Sequence, residues 1–138
     1  MTTTIDTNPA ANLTINDANT ADVITVSDGP AENGFQTTQV SGTANGGFTY
    51  IFANKPVVTI DGGNKGDKLV FNNRDPAAGL QSLTVQNLGT GSTIDGSNPN
   101  ANSPDIAAGT LSLQAAGNIG VSRKTVTGNC NCERMSDP

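Results

Sequence analysis

The sequence predicts an all-β fold, specifically a right-handed parallel β-helix (solenoid) fragment, and three observations support this prediction. Pairs of apolar residues separated by one polar residue recur along the chain, as in strands with one buried face. Helix signals are nearly absent, because no window keeps apolar residues at helical spacing between good helix formers. Aromatic residues make up 4% of the chain, which suits a narrow coil better than a wide sandwich interior. An antiparallel β-sandwich is the alternative.

Each predicted strand is centred on one alternating pair or a single apolar residue. In chain order these are Leu13/Ile15, Ile24/Val26, Tyr50/Phe52, Val58/Ile60, Leu69/Phe71, Leu83/Val85, Ile94, Leu111/Leu113 and Ile119/Val121. Clusters of Gly, Asn, Asp and Pro lie between them, and these residues favour turns. Gly, Asn, Thr and Ser together make 60 of the 138 residues, so we expect many turns and a thin core.

A repeated tetrapeptide favours the solenoid over the sandwich. Thr59-Ile-Asp-Gly62 and Thr93-Ile-Asp-Gly96 lie 34 residues apart, and each ends an apolar run and enters a polar turn. Copies of this kind suggest coils that stack on one another.

The chain divides into a β-repeat module at residues 1–121 and a tail at 122–138 that we predict to be disordered. Three of the seven cationic residues and both cysteines, Cys130 and Cys132, lie in this tail. Two thiolates one residue apart make half of a metal site, so the simpler interpretation is an exposed end.

Composition excludes several function classes. The chain has no His, which removes serine and cysteine catalysis of the usual triad and dyad kinds. A net charge of −5 argues against nucleic acid, because phosphate binding needs clustered cations. No apolar run approaches the roughly 18 residues of a membrane helix, so we expect no membrane insertion.

Four segments, covering less than half of the chain, give it a family resemblance. Residues 21–29, 57–72, 80–96 and 107–120 combine short β runs with Gly-, Asn- and Asp-rich turns. This texture resembles the repeat regions of large secreted bacterial surface proteins, of the haemolysin-type calcium-binding and filamentous-haemagglutinin-like β-helix kinds. The resemblance implies a secreted or cell-surface location and a structural or adhesive role.

One turn is a candidate calcium site. Residues 62–69, GGNKGDKL, match the calcium-binding β-roll nonapeptide at both leading glycines, Asp67 and Leu69. Lys65 replaces a glycine of that pattern and brings positive charge, and no second unit follows. A plain glycine-rich turn is therefore the simpler interpretation, with calcium held by Gly63 and Asp67 as the alternative.

Asp61 and Asp95 occupy matching places in the two tetrapeptides. If the copies stack in adjacent coils, these carboxylates lie close together and join the candidate metal ligands. Such a pair also suits general acid–base catalysis on a polysaccharide. The simpler interpretation is a turn, in which Asp bonds its own backbone before a Gly.

The sequence as a whole predicts a structural or adhesive repeat module without catalysis and without a resident cofactor. A calcium-stabilised β-roll-like module and a carbohydrate-binding or polysaccharide-degrading β-helix are the alternatives. We expect a cell-surface or carbohydrate partner, and self-association through exposed solenoid ends.

Overall fold

A computed structural model describes residues 2–17, 21–43, 47–96, 108–117, 119–120 and 130–134. Strands and turns make up these residues, and no helix occurs among them, so the predicted all-β class is confirmed. The described strands, in chain order, are β1 (Thr2–Asp6), β2 (Asn12–Asn16), β3 (Val23–Asp28), β4 (Thr38–Gly42), β5 (Phe48–Phe52), β6 (Val57–Asp61), β7 (Lys68–Asn72), β8 (Ser82–Gln86), β9 (Thr93–Gly96), β10 (Thr110–Ala115), β11 (Ile119–Gly120) and β12 (Cys130–Arg134).

The strands form two sheets that are mostly parallel. The larger sheet, called sheet A, has the order β1-β5-β4-β3-β7-β9-β11, and the smaller one, sheet B, has the order β12-β10-β8-β6-β2. Every described pairing in sheet B is parallel. In sheet A, β4 is antiparallel to both of its neighbours. The antiparallel sandwich considered as the alternative is therefore wrong, because most of the described ladders are parallel.

From β6 onward the chain alternates between the sheets, and three of the pairings join residues that lie 25 apart, whereas Leu83 and Leu111 lie 28 apart and Leu111 and Cys130 lie 19 apart. Val58 of β6 pairs with Leu83 of β8, 25 residues later in sheet B. Leu69 of β7 pairs with Ile94 of β9, again 25 residues later, in sheet A. We call a run of chain that forms one strand of sheet B and then one strand of sheet A a passage. From β6 onward, each passage adds one strand to each sheet, directly beside the strand of the preceding passage.

The core consists of apolar residues aligned across these ladders. In sheet B one row runs Leu13, Val58, Leu83, Leu111, and the next row runs Ile15, Ile60, Val85, Leu113. All but Leu13 are buried, and that residue packs against the same cluster from the terminal strand. Facing them, β3, β7 and β9 contribute inward apolar residues such as Ile24, Leu69 and Ile94. Period-two alternation therefore buries one face of strands such as β7 and β8 and leaves the other face more exposed.

The first passage carries an insertion. Ile15 of β2 pairs with Ile60 of β6, 45 residues later, because β4 and β5 lie between them in the chain. These two strands form an antiparallel hairpin that extends sheet A beyond β3, and β1 adds to its outer edge. Neither β1 nor β4 was predicted: β1 is rich in Thr and mostly exposed, and β4 has a single large apolar side chain, Val40.

The tetrapeptide copies and part of the tail lie elsewhere than the sequence predicted. The two Thr-Ile-Asp-Gly copies are not equivalent, because Thr59–Gly62 ends β6 in sheet B whereas Thr93–Gly96 forms β9 in sheet A. Within the predicted disordered tail, Cys130–Arg134 forms β12, which pairs with β10 in parallel. The other residues of 122–138 lie outside the described residues, as does Val121, so the expectation for them stays a prediction.

Candidate functional site

Asp61, a candidate calcium ligand, is engaged in a turn and a cross-strand amide network. Its Oδ1 accepts a hydrogen bond from the Gly63 amide at 2.9 Å, which is the turn that the sequence predicted. Its Oδ2 accepts from Asn87 at 2.9 Å and from Gln86 at 3.3 Å. Burial raises the pKa of this carboxyl, but the three hydrogen bonds outweigh burial and hold the pKa below its ordinary value.

Gly63, the second candidate, has a φ of 68°, which favours glycine at this turn. The turn stacks on the next passage through backbone bonds from Gly62 to Gln86 and from Asp67 to Leu88. The glycines of the turn after β6 therefore allow the backbones of successive passages to approach each other closely.

Asp95 lies away from Asp61, because the two residues belong to different sheets. It is partly exposed, and Nζ of Lys68 is 3.9 Å from its Oδ2. The condition for Asp61 and Asp95 to lie close, stacking of the two tetrapeptides in adjacent coils, is not met: the neighbours of Asp61 in its ladder are Asn16 and Gln86. Among the described residues, no group of three or more His, Cys, Asp or Glu side chains is arranged to hold a metal ion. Calcium binding itself stays a prediction.

Asp67, the fourth candidate, belongs to a buried acidic cluster that the sequence analysis did not predict. We call Asp17, Asp22 and Asp67 the acidic cluster; their exposed fractions are 6%, 6% and 0%. Asp17 follows β2, Asp22 precedes β3, and Asp67 precedes β7. The cluster thus lies where the chain crosses from sheet B to sheet A.

Hydrogen bonds hold the acidic cluster in place. The Asp22 amide donates to Oδ1 of Asp67 at 2.9 Å. Oδ1 of Asp22 accepts from the amides of Val23, at 2.8 Å, and Thr43, at 2.5 Å, and from the Thr43 hydroxyl. Oδ2 of Asp17 and Oδ2 of Asp67 are buried without a hydrogen-bond partner. Buried polar atoms are normally satisfied, so two unsatisfied carboxyl oxygens in one cluster need an explanation.

Burial and mutual repulsion change the acidity of this cluster. Burial, a hydrogen bond to the Asp22 carboxyl, and the charges of Asp22 and Asp67 raise the pKa of Asp17 to about 7. Burial likewise raises the pKa of Asp67, and the charge of Asp22 adds to this effect, against the opposing hydrogen bond from the Asp22 amide. The cluster therefore tends to retain a proton near neutral pH.

Two glycines make room for the acidic cluster. A Cβ at Gly42 would meet Oδ2 of Asp22, and a Cβ at Gly62 would meet Oδ2 of Asp67 and the Leu88 side chain. The sequence carries no local signal for this arrangement, because Asp17, Asp22 and Asp67 are brought together by strand pairing and not by spacing. Aspartate is rarely buried, so the sequence gave no reason to expect that these three residues, which lie next to turns, would be buried.

The outward face of sheet B carries a row of short hydroxyl side chains. Thr14, Thr59, Thr84 and Ser112 occupy the same register position on β2, β6, β8 and β10. Neighbouring strands lie about 4.8 Å apart, so these hydroxyls repeat at that interval across the sheet. Thr14 is exposed and the other three are half-buried by their neighbours. We call these four residues the hydroxyl row.

A buried lysine anchors the N-terminal strand. The side chain of Lys55 is 1% exposed, and its Nζ lies 3.1 Å from Oδ1 of Asp6 at the end of β1. Nζ also donates to the backbone carbonyls of Asn8 and Ala53, the latter at 3.3 Å. Burial raises the pKa of Asp6, but the hydrogen bonds from Lys55 and the Asn8 amide outweigh it and leave that pKa below its usual value.

Comparison of the chain with protein-family models, with curated proteins and with solved structures found no match. In the described part of the chain, no helix is long and apolar enough to cross a membrane.

Proposed function

We propose that this chain is a structural and adhesive module of an exported bacterial surface protein, built as a right-handed parallel β-solenoid without catalysis. One observation carries the proposal: successive passages of the chain add one strand to each sheet, at the 25-residue interval that relates Val58 to Leu83 and Leu69 to Ile94. Such a chain grows along one axis by stacking. The right hand follows from the strong preference of parallel strand crossovers.

The stacked architecture supports a structural role because each passage buries its apolar rows against its neighbours. The rows Val58, Leu83, Leu111 and Ile60, Val85, Leu113 run across the strands without a polar interruption. An interior of this kind gives a stiff rod from short coils. Sheet B ends at β2 in the described strand order, and a terminal strand of this kind favours self-association.

The hydroxyl row is the surface that we assign to adhesion. Thr side chains are stiff at χ1, so little side-chain entropy is lost when such a row contacts a partner. Hydroxyls both donate and accept hydrogen bonds, as the hydroxyls of a polysaccharide do. An extended polysaccharide on a cell surface is therefore the partner that we propose.

The solenoid is tested by NMR on the isotopically labelled chain. We expect cross-strand contacts that connect the backbone of Leu83 to both Val58 and Leu111, and that connect Leu69 to Ile94. A set of antiparallel contacts in sheet B would refute the solenoid. A thermal melt followed by circular dichroism, in chelator and then in millimolar calcium, tests the calcium-stabilised alternative: we expect the same midpoint in both, and folding only with calcium would establish that alternative.

Adhesion is tested by co-sedimentation with insoluble polysaccharides. Thr59→Lys and Thr84→Lys place long cations on the hydroxyl row, and we expect each to reduce the bound fraction severalfold. Thr25→Lys is the matched control, because Thr25 lies on β3 in sheet A, away from the hydroxyl row. Equal binding by all three variants, or no binding by the unaltered chain, would contradict the adhesive role. Release of reducing ends during the incubation would contradict the absence of catalysis.

A further inference from the structure

The two cysteines of the chain lie on the terminal strand of sheet B. The strand β12 pairs in parallel with β10, and Cys130 and Cys132 occupy the register positions opposite Leu111 and Leu113. These two leucines are fully buried and belong to the two apolar rows that run across sheet B. At its last described strand, each row therefore ends at the register position of a cysteine.

The outer edge of β12 has no partner strand in the described part of the chain. Sheet B ends at β12, and sheet A ends at β11, which precedes β12 in the chain. At the other end of sheet B, by contrast, sheet A continues beyond β3 with β4, β5 and β1. An unpaired edge is a template for another strand. Among the described strands, the β12 end is therefore the one more open to a second copy of the chain.

A two-fold axis is the symmetry that joins two identical edges. Two copies of β12 related by such an axis pair antiparallel, in an isologous interface in which each contact occurs twice. With the axis at Asn131, Cys130 of one copy lies opposite Cys132 of the other, and the converse pair is equivalent. A Cys-x-Cys spacing on an edge strand is thus self-complementary, because a single register aligns both pairs.

Strand geometry favours a disulfide between two copies over one within a copy. Residues opposite each other on antiparallel strands have Cα atoms about 4.5 or about 5.5 Å apart, inside the range of about 4.4–6.8 Å that disulfides need. Residues i and i+2 of one extended strand have Cα atoms about 6.6 Å apart, near the upper limit, so a bond between Cys130 and Cys132 of the same strand would be strained. A second copy therefore offers each cysteine a better-placed partner.

We propose that β12 joins two copies of this chain end to end, with a disulfide between Cys130 of each copy and Cys132 of the other. For each bond, the Cys130 thiolate attacks a low-molecular-weight disulfide such as glutathione disulfide, forms a mixed disulfide and releases one small thiolate. The Cys132 thiolate of the second copy then attacks the Cys130 sulfur and releases the other small thiolate. The two cysteine thiols thus give up two electrons and two protons, which convert the oxidant to two small thiols.

This junction rests on the proposed function in one respect, the exported location, because disulfides persist in oxidising surroundings. It gives the expected self-association a specific end and a covalent chemistry. A test in solution supplies the oxidant itself, so its outcome does not depend on location. Co-sedimentation with polysaccharide uses the reduced chain, so a failure of adhesion and a failure of the junction are separate results.

Oxidation of the full chain tests the junction directly. The reduced chain is incubated with glutathione disulfide and examined by intact mass spectrometry. We expect a covalent dimer with twice the 14.0 kDa mass of one chain, less four hydrogen atoms, which dithiothreitol returns to monomer. A monomer that has lost two hydrogen atoms, a monomer that keeps glutathione, or polymers larger than a dimer would overturn the proposal if any of them were the main product.

Two single variants test the antiparallel register. Cys130→Ser keeps the Cys132 thiol and Cys132→Ser keeps the Cys130 thiol, and ¹⁵N labelling of one variant separates the three possible dimers by mass. In the assigned register the remaining thiols lie opposite each other only in the mixed pair. We therefore expect severalfold more heterodimer than a random mixture contains, and the excess should vanish in concentrated urea.

The double variant Cys130→Ser/Cys132→Ser is the matched control and should stay monomeric under the same oxidation. A random mixture of the three dimers in native buffer would overturn the junction, because unpaired thiols would then be reacting without strand pairing. The mass of the oxidised unaltered chain decides the question by itself if a variant does not fold.

Discussion

Substitution of Lys55 by Met removes the buried ammonium while keeping most of the side-chain length. Lys55 is 1% exposed, and it bonds to Asp6 and to the carbonyls of Asn8 and Ala53. Its removal takes this donor from the two carbonyls and removes the only cation beside the Asp6 carboxylate in the described part of the chain, which keeps the Asn8 amide and the Tyr50 hydroxyl as donors. Breaking a buried ion pair from one side costs about 3–5 kcal/mol. The side chain of Asp6 is 28% exposed, so water restores part of its solvation, and we expect a loss of about 3 kcal/mol.

The same chemical change at Lys68 is the matched control. The Lys68–Asp95 pair spans 3.9 Å, and its side chains are 56% and 44% exposed. Exposed pairs of this kind contribute about 0–1 kcal/mol, so Lys68→Met should change the free energy of unfolding by less than about 0.5 kcal/mol. The contrast between these two lysines isolates the effect of burial from the effect of losing a charge.

Urea denaturation followed by far-ultraviolet circular dichroism is the suitable assay, because the chain has no Trp and a single Tyr. With a slope of about 1.5 kcal/mol per molar urea, the expected loss at Lys55 lowers the midpoint by about 2 M. A Lys55→Met variant within about 1 kcal/mol of the unaltered chain would refute the reasoning, since a desolvated ammonium cannot then be holding β1 in place.

Three further predictions follow from the core, a turn and the carboxyl groups. Leu83→Ala should lower the free energy of unfolding in urea by about 3 kcal/mol, because Leu83 is 1% exposed. Thr84→Ala, on the opposite face of β8, should lower it by less than about 1 kcal/mol. Equal losses would contradict the assigned strand faces. Gly62→Ala should cost about 1–3 kcal/mol, because its methyl group would press on Asp67, and an unchanged melting temperature would contradict this packing. Because the pKa of Asp61 is lowered in the folded chain, its carboxylate stabilises the fold above the ordinary pKa, and this contribution is lost as pH falls through the folded value. In acid titrations, Asp61→Asn should therefore lose less stability below pH 3.8 than the unaltered chain. Identical curves would contradict the role of the Asp61 hydrogen bonds.

The sequence predicted the strands of the apolar ladders because period-two alternation is a local signal. Leu83 with Val85 and Leu69 with Phe71 lie in strands, with the inward faces that alternation requires. The strand β1, Thr2–Asp6, was missed since its Thr-rich residues are mostly exposed and carry no apolar pair. The 34-residue tetrapeptide repeat does not report stacking, because one copy ends a strand of sheet B and the other forms a strand of sheet A.

Less of the candidate site than of the fold could be predicted from the sequence. Asp61 and Gly63 were correctly interpreted as a turn, since Asp before Gly has a local preference. The acidic cluster depends on the pairing of β2 with β6 and of β3 with β7, which places residues 45 apart side by side. No spacing rule reports such a contact, and the alternation of the strands gives no information about buried groups at their ends.

The 25-residue interval shared by the pairs β6–β8 and β7–β9 has an evolutionary consequence. A genetic duplication of one such interval inserts a whole passage whose apolar residues meet equivalent residues above and below. In the solenoid that we propose, no other passage must change to accept the insertion, so the stack lengthens in discrete steps. The insertion that contains β4 and β5 breaks this interval, and duplication across it would not yield a matching layer. Duplications in the proposed solenoid are therefore expected to add whole passages outside the first one.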